Sequence, residues 1–478
     1  MGVLTNLEPA SVFHYFEEIC SIPHTSHHEK ALSDYCVQFA KAHGLACRQD
    51  EMGNVLIKAP ATPGYENQPA LILQGHLDMV GDKTAACPLD LEKDAIQLVV
   101  DGDYVRAEGT TLGGDDGIAV AMAMAILDDD SLSHPAIEAI FTVDEETGMY
   151  GAEGLDVSVL KGRRMLNMDS EDEGIFTVSC AGGARADCCL PVTRSAFSAP
   201  VQEIAVTGLV GGHSGAEIDK GRANSSMLLG RVLYALEQKT PLRVISVSGG
   251  LKDNAIPTAS VALVAADASA VQAVCAEMDA AFKKEYRVND PAITVSVRPA
   301  ETDLLPLDES SSRSVVCMLT CLPNGIQAMS ADMPGLVQTS LNLGILTTGD
   351  DAVHASFSVR SSVATQKQML IQRLRCLMER LGGSVSTHGE YPGWEYMPQS
   401  PLRDLMVQVF TDQYGYAPKV EAIHAGLECG LFSAKLSGLD CVSFGPDLKE
   451  IHTFRESMSV ASVQRVYAMV VETLKRMH

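Results

Sequence analysis

The chain has 478 residues, 46% hydrophobic and 20% charged, an ordinary globular balance with material for more than one core. Its formal net charge of −25 argues against a nucleic-acid partner, which would need clustered Lys and Arg. No apolar run approaches the ~20 residues that span a bilayer, and the acidic N-terminal stretch lacks a signal-peptide pattern, so no membrane partner and a cytoplasmic location are expected.

Thirteen cysteines, an odd number without the paired spacing of a structural zinc site, read as free thiols in a reducing compartment. A Ser26-x-x-Glu29 capping box predicts a helix through Ala42. Apolar runs of strand length follow at 54–58, 70–73, 137–143 and 164–168. Between the second and third, residues 117–127 are apolar all round, which predicts a buried helix. This alternation predicts an α/β domain with a central, mostly parallel sheet.

Near Ala186 the texture changes. Alternating, half-exposed strands are expected at 201–206, 242–248 and 259–265, with helices at 222–238 and 270–285. A similar series follows: a helix at 312–322, strands at 336–345 and 352–360, and a helix at 366–381. One α+β domain or two related α/β halves would both produce it. After Pro392 the first texture returns, with a helix at 404–414, a short strand at 441–444 and a closing helix at 459–475. The expected organisation is one catalytic domain in two parts, 1–186 and 391–478, interrupted by an inserted α+β domain at 187–390.

Five short acidic or histidine clusters stand out, most of them directly after a predicted strand. His76 and Asp78 lie two apart and so face one way in extended chain. Asp115 and Asp116 follow Gly113-Gly114 at the start of the buried helix, where negative charge is favoured. Glu145 and Glu146 follow the third run, Asp169 the fourth, and His452 the strand at 441–444. In open α/β sheets the active crevice lies outside the carboxyl ends of the strands. So many carboxylates gathered there repel one another unless a cation compensates, and they exceed a single tetrahedral shell, which points to two metals.

Singly, each cluster has an ordinary structural explanation as a surface pair, a turn or a solvated face. Their shared position is what carries weight. His24, His27 and His28 are set aside because two of them fall inside the capping box. Ser214, in Gly212-His213-Ser214-Gly215, lacks the strand–elbow–helix setting of a nucleophilic serine.

The series His76-x-Asp78, Leu112-Gly-Gly-Asp115-Asp-Gly, Asp144-Glu145-Glu146-Thr-Gly, Asn167-Met-Asp169 and Ile451-His452-Thr resembles the M20 metallopeptidases. It is most similar to their aminoacyl-histidine (Xaa-His or β-alanyl-histidine) dipeptidase branch, in the same order over nearly the whole chain. The resemblance implies two Zn2+, with Mn2+ or Co2+ as substitutes, bridged by Asp115. His76 and Asp169 would complete one site, and Glu146 and His452 the other. Glu145 would be the general base toward a water shared by the metals, and Asp78 would orient His76.

The inserted domain would be the family's lid. There His213 resembles the donor to the tetrahedral oxyanion, and Asn254 and Arg360 resemble groups that grip the substrate's carboxylate. Gly426 resembles a loop glycine beside the scissile peptide. At about 200 residues, the insertion is roughly twice what smaller dimeric relatives carry. It could supply in cis what they borrow from a partner subunit, so a homodimer and a self-sufficient monomer both stay open. The expected activity is hydrolysis of unblocked dipeptides, including β-Ala-His. A deacylase of N-acyl amino acids, a tripeptidase and a non-catalytic metal- or peptide-binding protein are the alternatives.

Overall fold

A computed structural model of the chain describes residues 2–478 and divides them into two compact units. The first holds the chain up to Ser179, with Tyr396–Ala422 and Leu427–His478; the second holds Cys180–Glu395 and Ile423–Gly426.

The N-terminal stretch of the first unit begins with helices α1 (Ala10–Cys20) and α2 (Lys30–Ala42). Strands β1 (Ala46–Gln49), β2 (Val55–Ala59), β3 (Leu71–His76), β4 (Leu98–Asp101) and β5 (Tyr104–Ala107) follow. Then come α3 (Gly114–Asp128), β6 (Ile137–Thr142), the short helices α4 (Glu145–Gly148) and α5 (Tyr150–Gly154), β7 (Arg164–Asn167) and β8 (Ile175–Cys180).

The second unit runs through β9 (Gly182–Pro191), β10 (Val201–Thr207), β11 (Gly212–His213), α6 (Ser225–Glu237), β12 (Arg243–Gly249), β13 (Ala255–Ile256) and β14 (Ser260–Ala265). It continues with α7 (Ala268–Glu285), β15 (Thr294–Pro299), α8 (Glu309–Cys321), β16 (Gly325–Met329), β17 (Val337–Thr348), β18 (Ala352–Ser361), α9 (Ala364–Arg380) and β19 (Ser384–Tyr391). The chain then supplies α10 (Pro401–Tyr414), β20 (Lys419–Ile423), α11 (Glu428–Lys435), β21 (Asp440–Ser443), β22 (Leu448–Lys449), β23 (Ser457–Ser459) and α12 (Val460–Lys475).

The first unit is an α/β fold. Its main sheet has eight strands in the order β1-β2-β6-β3-β7-β21-β8-β20. The centre is parallel: β3 pairs in parallel with β6 and β7, and β7 with β21, while β1 and β2 turn antiparallel at one side. Every residue of β3 and β6 is buried, as expected of parallel strands covered on both faces. Helix α3 is buried almost throughout, which its apolar circumference demands. A four-stranded sheet in the order β22-β23-β5-β4, invisible to the apolar-run reading, braces the loop after β21.

The second unit carries a nine-stranded sheet, β15-β10-β14-β12-β17-β18-β9-β19 with β16 beside β17, and a two-stranded sheet of β11 and β13, all with antiparallel pairings. The two series seen in its sequence therefore feed the nine-stranded sheet together and share its main hydrophobic core. Among the described residues, no helix is long and apolar enough to cross a membrane.

One sequence expectation fails on local chemistry. Helix α2 starts after Glu29 with no side-chain cap, so Ser26 and Glu29 do not form a capping box. Ser26 Oγ instead donates to Asp78 Oδ2 at 2.9 Å, and Glu29 accepts from the backbone N–H groups of His27 and Asp144. Both residues serve the edge of the acidic crevice rather than the helix.

Candidate metal centre

The register of the central strands sets the geometry. His76 stands opposite Thr142 and Gln74 opposite Asn167, so β3 and β6 end level and β7 ends two residues short of them. The residues that leave those ends, His76–Asp78, Glu145–Glu146 and Asp169, emerge side by side. The expected ligands and the expected base all fall in the first unit.

His76 is buried. Its Nδ1 donates to the backbone carbonyl of Asp78 at 2.9 Å, which leaves Nε2 facing Asp115 Oδ1 at 3.2 Å and Asp169 Oδ1 at 3.7 Å. Asp115 turns its other oxygen, Oδ2, to His452 Nε2 at 3.1 Å. One carboxylate thus lies between two imidazoles, each facing a different oxygen. Glu146 Oε1 is 2.8 Å from His452 Nε2 yet off the line of a hydrogen bond, so it has no hydrogen-bond partner among the described residues.

Donor atoms lie within 4.8 Å of one another in the groups His76–Asp116–Asp169, His76–Glu145–Glu146 and Asp115–Glu146–His452. Asp116, given no role on sequence grounds, joins the first of them and also accepts from the His76 backbone N–H at 3.2 Å. Its carboxylate presses on β3 so closely that a Cβ at Gly75 would fall 2.6 Å from Oδ2, so position 75 admits only glycine without displacement.

Asp78 acts on the backbone as well as on His76. Its two oxygens accept from the N–H groups of Glu145 and Glu146 at 2.9 and 3.1 Å, which fixes the first turn of α4 against the end of β3. Its carboxylate is 3.5 Å from His76 Nδ1. Asp144, just before α4, has φ +52°, and His452 has φ +61°; such strain in residues other than glycine collects at functional sites.

Glu456 is the chief residue that sequence reasoning missed. It is buried, and its two oxygens accept four successive backbone N–H groups, those of Leu112, Gly113, Gly114 and Asp115, at 2.8, 3.0, 2.9 and 3.2 Å. The loop that presents Asp115 is therefore held by a single carboxylate from the C-terminal stretch.

Electrostatically the centre is short of positive charge. Burial pushes the Asp169 carboxyl up to about 6, helped by Asp115 and Glu146, and burial likewise lifts Glu145 and Asp116 well above the usual carboxylate range. Asp115 moves the other way: burial would raise it, but His452 and His76 hold it down. His452 is pushed up to about 10 by Asp115 and Glu146. For His76, burial is outweighed by Asp115, Asp169 and Asp78, and its imidazole also titrates well above the ordinary range. Two imidazoles and a ring of carboxylates that call for added positive charge suit a pair of divalent cations with mixed N and O ligands.

In the second unit, β11 places His213 beside Ala255 of β13, and Ser214 N–H donates to the Asn254 carbonyl at 2.8 Å. His213 Nδ1 accepts from the backbone N–H of Ala216 at 3.0 Å, so the neutral ring carries its proton on Nε2. Burial and the nearby Arg360 lower its pKa and keep it neutral. A Cβ at Gly215 would lie 3.0 Å from the His213 ring, 3.1 Å from Arg360 Nε and 2.8 Å from the His424 carbonyl, so these three groups converge there. Gly426 follows His424 by two residues in the same unit. The buried Ser214 Oγ has no hydrogen-bond partner among the described residues, so it has no base to activate it as a nucleophile.

The sequence model of peptidase family M20/M25/M40 matches residues 72–476. The cytosol non-specific dipeptidase of Escherichia coli (strain K12) is 36% identical over 480 residues, covering 99% of each chain. The crystal structure of the aminoacylhistidine dipeptidase from Vibrio alginolyticus superposes with a TM-score of 0.96 at 37% identity, over 99% of this chain and 97% of that one. The aminopeptidase PepT from Bacillus cereus matches at a TM-score of 0.58 and 14% identity, over 98% and 99%, a likeness of fold.

Proposed function

The chain belongs to peptidase family M20/M25/M40, and from that premise we propose that it is a metallopeptidase hydrolysing unblocked dipeptides in the cytosol, Xaa-His dipeptides such as β-Ala-His among them. The observation that carries this reading is Asp115 set between His76 and His452, with the half-buried Glu145 beside them. His76, Asp115, Glu146, Asp169 and His452 are the proposed ligands of two cations, zinc first, with manganese or cobalt accommodated by the three carboxylates. When bound, such cations supply an acidified water and an electrophilic grip on the scissile carbonyl.

The remaining steps belong to the protein. The Glu145 carboxylate takes the proton of the attacking water and passes it to the leaving amine nitrogen. Asp78 holds that glutamate's backbone and, through its own carbonyl, fixes which nitrogen of His76 faces the ligands. To the second unit we assign the reading of the rest of the substrate. The Nε2–H of His213 is the donor to the developing oxyanion, a part that a neutral imidazole with Nδ1 already engaged can play. Arg360, with Asn254, takes the terminal carboxylate, and Gly426 lets the peptide approach closely.

Chelated and zinc-reconstituted protein should be compared on β-Ala-His, Gly-His, Ala-Ala and N-acetyl-Ala. Cleavage of the free dipeptides alone, abolished by chelation and restored by zinc, is the expected result. Turnover of the acylated compound alone would replace the reading with a deacylase, and silence on all four would bring the metal- or peptide-binding reading forward. His213→Ala should fold, keep its metals and lower kcat by about 10²–10³-fold, the usual cost of an oxyanion donor. A rise in KM with kcat intact would remove His213 from that part.

A further inference from the structure

Glu428 opens helix α11 and is fully buried, and nothing in the hydrolytic scheme uses it. Its Oε2 accepts from Gln74 Nε2 at 2.5 Å and from the Thr142 hydroxyl at 2.8 Å. Gln74 Oε1 in turn accepts from Asn167 Nδ2 at 2.5 Å. These three partners lie on β3, β6 and β7, the strands whose ends deliver the centre. Gln74 is two residues before His76, Thr142 three before Glu145, and Asn167 two before Asp169. The other oxygen, Glu428 Oε1, is buried with no hydrogen-bond partner among the described residues, and so is Asn167 Oδ1.

A buried carboxyl with an unsatisfied oxygen is a poor way to build stability; apolar side chains of similar volume would serve a sheet better. Retaining a polar ladder directly beneath three active side chains makes sense if the ladder fixes where those side chains point. We infer that Glu428 is a positioning residue of the hydrolytic centre, tying α11 to β3 and β6 so that His76 and Glu145 keep their mutual placement. The inference rests on the hydrolytic reading above. It adds a residue that touches neither metal nor substrate and works through Gln74 and Thr142.

Because one oxygen takes both donated hydrogen bonds, the carbonyl oxygen of a glutamine can reproduce them and an alanine cannot. The test uses the full-length enzyme and its Glu428→Ala, Glu428→Gln and Thr142→Val variants, each loaded with Co2+ and with Zn2+. Metal content, kcat and KM on a cleaved dipeptide, and the visible absorption of the Co2+ form are read together.

Glu428→Ala should retain both metals and keep KM while kcat falls on the order of 100-fold, the scale of an ångström-sized misplacement. Its Co2+ spectrum should shift, Thr142→Val should move part of the way in both readouts, and Glu428→Gln should restore most of kcat and the original spectrum. Unchanged kcat and spectrum in both Glu428→Ala and Thr142→Val would overturn the inference. So would full recovery of Glu428→Ala at excess metal, which would reduce Glu428 to an aid to metal affinity. Should Glu428→Ala fail to fold, the Thr142→Val and Glu428→Gln pair decides the matter. If the unmodified protein cleaves no dipeptide, the hydrolytic reading fails by itself, and the Co2+ spectra alone decide for or against positioning.

Discussion

Glu145→Gln should keep both metals and lose between ~10² and ~10⁴ in kcat, the range that a positioned general base supplies. On the free-energy scale that is roughly 3–5 kcal/mol of barrier. The substitution preserves shape and leaves the backbone bond from residue 145 to Asp78 Oδ1 in place, so the loss reports the proton-accepting oxygen and little else. Burial, together with the neighbouring Asp169, Glu428 and Glu146, lifts the carboxyl above its usual range, toward the basicity that a proton acceptor near neutral pH requires. Single-turnover kinetics and elemental analysis of the same preparation separate the outcomes. Turnover like that of the unmodified protein would strip Glu145 of its role, and loss of metal with activity would make it a ligand instead.

Glu456→Ala should be the most damaging change away from the ligands. It removes the acceptor of four backbone N–H groups at once, in a place where each buried amide left unpaired costs about 1–3 kcal/mol. Water admitted to the space left behind will recover part of this, so an overall loss of about 3–5 kcal/mol is expected in denaturant unfolding. The loop it frees carries Asp115, the carboxylate shared between His76 and His452, and metal affinity should fall by about 10–100-fold, as for other outer supports of ligands. Titration of the apo-protein with a chelator-buffered metal, run beside the unfolding curve, gives both numbers. Undiminished metal affinity would show that Asp115 needs no such clamp.

The contrast between these two glutamates explains what could be read from the sequence. Glu145 announces itself: it follows an apolar run of strand length and neighbours a second carboxylate, so local pattern and strand-end chemistry coincide. His76, Asp115, Asp169 and His452 are legible in the same way, and so is the alternating texture of the α/β unit. Glu456 has no such signature. Its partners lie 341 to 344 positions earlier, and a hydrogen bond to a backbone N–H leaves no trace in the side chains it serves. Glu428 is separated from Gln74 by 354 positions and is equally silent. Ser26 and Glu29 misled for the opposite reason, because their spacing satisfies a local rule while tertiary partners across the crevice claim the side chains. The nine-stranded sheet of the second unit was hidden too, since its two series of elements look alike locally and only strand pairing joins them.

The clamp also sets an order of events at the ribosome. Glu456 is translated 341 residues after Asp115, an interval of about 20–70 s at ordinary elongation rates. For most of that interval the nascent chain holds His76, Asp115, Glu146 and Asp169 without His452 or the acceptor that pins the Asp115 loop. The catalytic power proposed here is therefore withheld from any nascent chain that has not yet reached Glu456.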